Sequence, residues 1–177
     1  MSIVRITKIL FLLAVFAGSV MTACASKYST VELTPLFAHN TCPDTTPTPG
    51  IRVANTSEEA DHIWSLCRRQ LALGGDADTE KRPTVNFNEE RLIYVHMGAR
   101  RTGGYRLYLA GKRGQVVNKT LVIPIGWQEP ARGDIVTQML THPCLLLAAP
   151  RGIYKRLEVV DQAGQIRFSE DLSAATP

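Results

Sequence analysis

Apolar and polar positions follow different rules in different parts of this chain. Residues 92–97 form an apolar run that stops at Gly98, and after the basic, Gly-rich stretch 99–104 an alternating run resumes, with Tyr105, Leu107 and Leu109 set against Arg106 and Tyr108. Two β-rich runs joined by a short Gly-containing connection predict an antiparallel hairpin. The helical spacing i, i+3, i+4, i+7 occurs once clearly, at Ala60, Ile63, Trp64, Cys67 and Leu71, behind Thr56 and Glu59, whose three-residue spacing predicts a capping box. Gly74-Gly75 would end that helix.

Further strands are predicted over residues 30–37, 51–53 (an edge strand) and 116–125. In the last of these Lys119, Leu121, Ile123 and Ile125 would share one face, and Pro124 would put the far end at a sheet edge. Residues 111–114 read as a turn. Residues 144–149 are continuously apolar, as in a strand covered on both faces, and Leu157, Val159, Ile166 and Phe168 flank a closing hairpin around 161–164. Between the first strands, residues 40–50 hold Pro43, Pro47 and Pro49 and read as a tether or a long loop. The expected class is α+β: a mostly antiparallel, twisted β-sheet of roughly five to seven strands with one principal amphipathic helix packed on it.

The N-terminus changes the picture of where this domain works. Arg5 and Lys8 precede an apolar stretch, residues 9–20, which is shorter than the roughly 20 residues a spanning helix needs, so residues 1–23 read as a cleaved signal peptide. Met21-Thr22-Ala23-Cys24 resembles a bacterial lipobox, which makes Cys24 the expected lipidation site, and Ala25 after it favours the outer membrane over the inner one. Residues 24–50 would then be a lipidated N-terminus, a short strand and the Pro/Thr-rich segment, residues 51–170 the globular domain, and 171–177 a flexible tail.

Removing Arg5 and Lys8 lowers the formal +4 to about +2, so the basic pI does not argue for nucleic acid. Charge is nevertheless segregated. Residues 91–128 carry seven Lys or Arg and no Asp or Glu, with Arg100 and Arg101 in the loop after the apolar run.

Motifs for catalysis are missing: no Gly-x-Ser-x-Gly, no His-Glu-x-x-His, no phosphate-binding Gly-Lys-Ser/Thr loop and no Cys-x-x-Cys. His39, His62, His96 and His142 lack metal-ligand spacing, and no cofactor is expected. A thiol nucleophile would have to pair Cys67 or Cys144 with His96 or His142, yet both cysteines fall at apolar packing positions. With Cys24 lipidated, Cys42, Cys67 and Cys144 allow one disulfide, in any of three pairings.

Several fragments together carry a family resemblance. Val85-Asn86-Phe87-Asn88, the strand ending Met97-Gly98, the loop Thr102-Gly103-Gly104-Tyr105, then Val136-Thr137-Gln138 and Leu140-Thr141-His142-Pro143 resemble the pattern of the PrcB-type protease-complex subunits (PrcB C-terminal domain), over residues 50–150. That family also has a Trp-bearing helix where Trp64 falls, and a Pro where this chain has Arg101. The resemblance implies a lipoprotein without catalytic residues of its own, held to a membrane by its N-terminal lipid, that binds and stabilises or assembles an extracytoplasmic protein such as a protease. Arg100, Arg101, Thr102, Gly103, Gly104 and Tyr105 are the candidate partner-binding residues. The same loop also resembles the Thr-Thr-Gly-Tyr loop of chagasin-type cysteine protease inhibitors, which implies, as an alternative, insertion of an exposed loop into a protease cleft.

Overall fold

The computed structural model describes residues 28–67 and 81–172. The signal peptide, Cys24, Leu71, the Gly74-Gly75 stop and the end of the tail lie outside the described residues. Among the described residues, ten strands and one helix follow in the order β1 (Ser29–Glu32), β2 (Thr34–His39), β3 (Gly50–Ala54), α1 (Ser57–Cys67), β4 (Glu90–His96), β5 (Arg106–Leu109), β6 (Arg113–Val117), β7 (Thr120–Gln128), β8 (Cys144–Pro150), β9 (Arg156–Val160) and β10 (Ile166–Asp171).

The capping box forms as the spacing predicts. Glu59 N donates to Thr56 Oγ1 at 3.2 Å, while Glu59 Oε2 accepts from Thr56 N at 3.2 Å and from Asn55 N at 2.6 Å. The helix buries Ala60, Ile63, Trp64 and Cys67.

The strands form two sheets rather than one. A four-stranded sheet runs β2-β8-β4-β3, with β3 at its edge as expected, and a six-stranded sheet runs β1-β6-β7-β9-β10 with β5 beside the far end of β7. One side of β4 and β8, carrying Ile93, Val95, Leu145, Leu147 and Ala149, packs against Leu121, Ile123, Ile125, Leu157 and Val159 of the larger sheet. Their other side, with Leu92, Tyr94, Cys144 and Leu146, packs under α1. That middle position is why Leu92 to Val95 of β4 and the whole of β8 are apolar without alternation. Each fully buried Leu or Ile contributes about 1.5–3 kcal/mol here.

The two-sheet arrangement corrects several expectations. No hairpin joins β4 to β5: β4 pairs with β3 and β8, whereas β5 pairs with β7, so residues 97–105 cross from one sheet to the other. The run 30–37 is likewise two strands, with β1 on β6, β2 on β8 and buried Leu33 at the crossing, so the folded unit extends back to Ser29 instead of starting at 51. The sheet is mixed, because β7 and β9 are parallel. The chain leaves β7, adds β8 to the opposite sheet and returns in the same direction, which is the crossover a parallel pair requires.

The run 116–125 is also not one strand. Asn118 and Lys119 take φ of 50° and 64°, forming a two-residue turn that folds β6 onto β7. Pro124 lies inside this central strand, not at an edge. It falls in the gap between the β5 and β6 ladders, where its carbonyl still accepts from Ala110 N at 3.1 Å and its missing amide interrupts neither ladder. The closing hairpin does form, with Asp161 Oδ1 accepting from Ala163 N and Gln165 N, each at 2.9 Å.

Residues 40–50 are a long loop laid against the domain. His142 N donates to Asn40 O, Cys42 N to His142 O and Ala99 N to Thr46 O.

Candidate functional site

The crossing at 97–105 is built from backbone first. Met97 N donates to Pro143 O at 2.9 Å and Ala99 N to Thr46 O at 3.1 Å. Gly98 sits at φ +71°, and a Cβ there would lie 2.5 Å from Pro47 O, so only glycine lets the two loops touch. Arg100 and Thr141 exchange both backbone hydrogen bonds at 2.8 Å, Gly103 N donates to Thr137 O at 2.8 Å, and Thr141 Oγ1 donates to Thr102 O at 2.8 Å. The two family-like stretches, some forty residues apart in sequence, are therefore one clasp.

The six candidate residues divide accordingly. Gly103 is buried, Thr102 and Tyr105 are half-buried, and Tyr105 packs against the inter-sheet core. Arg100 lies over the Tyr105 ring at 5.3 Å with its Nε buried and unpartnered. Only Arg101 and Gly104 face solvent. A loop sewn down through its middle glycine does not project as a cleft-inserting loop would. What does face outward beside it is the 129–142 connection, with Ile135, Met139 and Leu140 exposed. In the sequence these outward side chains are signalled only as apolar residues without periodicity between two strong strands, a pattern that the motif fragments of the same stretch obscure.

Gly104 has φ +87°, and a Cβ would come within 2.9 Å of Val136 Cγ1. Gly104→Val is expected to cost about 2 kcal/mol or more, since a β-branched residue is strained at positive φ even before the contact is counted. Arg101→Ala should stay within about 0.5 kcal/mol. Chemical denaturation of the two variants tests this, and equal midpoints would refute the structural role of Gly104.

A second cluster lies on the α1 side of the four-stranded sheet. Asp44 accepts from Thr46 N at 2.9 Å, from the Thr46 hydroxyl and from Tyr94 OH at 3.1 Å. His96 stacks on Tyr94 at 5.2 Å, with Nδ1 3.9 Å from Asp44 Oδ2. Burial alone would raise the Asp44 carboxyl, but the Thr46 donors, then His96 and Tyr94, take it below the usual value. Burial lowers His96 and raises Tyr94.

The thiols resolve the open pairing. Cys42 and Cys144 form a disulfide, leaving Cys67 free and buried. Burial, with the Asp44 charge adding to it, pushes the Cys67 thiol up to about 12, so it stays protonated near neutrality and is a poor nucleophile. Among the described residues, no group of three or more His, Cys, Asp or Glu could hold a metal ion.

The model of the PrcB C-terminal family matches residues 91–150, the span from β4 through β8 that contains both halves of the clasp. No curated protein and no solved structure gives a significant match.

Proposed function

We propose that this chain, whose residues 91–150 match the PrcB C-terminal family, is a non-enzymatic envelope lipoprotein that binds and stabilises or assembles another extracytoplasmic protein, a protease in the first instance. The observation that carries this reading is the clasp. The family-matched loops spend their polar backbone groups and glycines on each other, making a rigid platform rather than a pocket lined with acids, bases or nucleophiles. The Cys42–Cys144 disulfide is in keeping with an oxidising compartment outside the cytoplasm, and a lipid on Cys24 would hold the domain at the outer membrane.

Native purification from detergent-extracted membranes tests the reading. A protease or its precursor should co-purify in near-equal amount, and its level should fall when this chain is deleted. Recovery of the chain alone, with no protein whose abundance depends on it, would sink the proposal.

A further inference from the structure

Three of the seven large apolar side chains exposed among the described residues fall within six positions: Ile135 at 104%, Met139 at 47% and Leu140 at 61%. The others, Tyr28, Tyr108, Ile153 and Ile166, are scattered. We infer that Ile135, Met139 and Leu140, flanked by Arg101 and Arg132, are the docking surface for the partner, and that they fit an apolar pocket on a protein with an acidic rim. This rests on the binding role proposed above and assigns it to a surface.

The backbone explains why these side chains stay outside. Gly103 N to Thr137 O and the Arg100–Thr141 pair tie down the backbone on either side of Met139 and Leu140, while Val136, next to Ile135, packs against Gly104. The apolar groups are thus held outward before any partner arrives, which lowers the ordering cost of association. The antiparallel Arg100–Thr141 bridge also sets Arg101 opposite Leu140, placing a cation at the edge of the apolar group.

Charge decides what kind of partner fits. The two acids of the loop are engaged internally: Asp134 Oδ2 accepts from Ala131 N at 2.7 Å, and Glu129 Oε1 accepts from Trp127 Nε1 at 2.7 Å. Arg101 and Arg132 are exposed and make no ion pair among the described residues. Cations left without partners around an apolar centre complement an acidic rim around an apolar pocket. A bilayer is the poorer fit. Inserting Ile135 among lipid tails would carry the carboxylate of Asp134 toward them, whereas a pocket that receives the Ile135 side chain can leave that group in water.

The test uses the full chain and the protein identified in the membrane extract, expressed and purified separately. Ile135→Ser with Leu140→Ser should weaken binding roughly tenfold or more without moving the melting temperature, as truncation of apolar anchors does. Arg101→Glu with Arg132→Glu should weaken it as well, with a loss that shrinks as salt is added. If wild type binds that protein and both double variants bind within about twofold of it, the surface is wrong while the binding role stands. If wild type binds no protein, the role and the surface fail together. If the variants instead change binding to phosphatidylglycerol vesicles and leave protein binding intact, a membrane takes the partner's place and the inference is overturned.

Discussion

Cys42→Ala combined with Cys144→Ala is expected to lower stability by about 4–5 kcal/mol, because the bond closes a loop across 102 residues and removes much of the freedom of the unfolded chain. Domains of this size are stable by only about 5–15 kcal/mol, so the double variant should sit close to the folding threshold. The bond lies where its loss would spread. Cys144 begins the central strand β8, and Cys42 anchors the loop whose Thr46 carbonyl receives Ala99 N from the clasp. Reduction should therefore loosen the candidate docking surface as well as the core. Denaturant midpoints with and without reductant measure the effect, and reduced wild type should match the double variant. Before reduction, Cys42, Cys67 and Cys144 together should yield one titratable thiol in denatured protein, that of Cys67. Oxidised and reduced forms within about 1 kcal/mol of each other would show that the bond stabilises little.

What could be read beforehand was whatever short-range pattern determines. The capping box of α1, the two-sided burial of β8 and the Asp161 hairpin each depend on residues within a few positions of one another, and each is present. The partition into two sheets was not legible. An apolar run such as β4 says that both faces are covered, but not that one is covered by a second sheet and the other by a helix. The same limit explains why the expected hairpin does not form: closeness in sequence does not make β4 and β5 neighbours in a ladder. Lys119 at φ 64° hid a turn, because lysine there lacks the usual Asn-Gly signature. At the site, both halves of the clasp were visible as separate motifs. That they bond to each other, and thereby turn Ile135 and Leu140 outward, depends on contacts between residues some forty positions apart.

Asp44 was the least legible residue, since an Asp in a Pro- and Thr-rich stretch looks like part of a solvated loop, yet it is only 4% exposed. Asp44→Ala is expected to cost about 3 kcal/mol. It removes two Thr46 donations that order the loop and leaves the Tyr94 hydroxyl buried without its acceptor. Acid should act in the same direction in two stages. His96 titrates below its ordinary value in the folded protein, because burial disfavours its cation more than Asp44 favours it, with Arg52 opposing the cation as well. Between the folded value and about 6.5 the unfolded chain binds more protons, so stability present above pH 6.5 is lost as pH falls through that window. Asp44 follows the same sign lower down. Its folded value lies below the ordinary carboxylate value, so its contribution is complete above about pH 4 and disappears as pH drops through the folded value. Melting temperature against pH should therefore decline in two steps, the upper one removed by His96→Gln and the lower one by Asp44→Asn. A profile from pH 7 to pH 3 that is the same for wild type and both variants would mean that neither group couples protonation to the packing of the 40–50 loop.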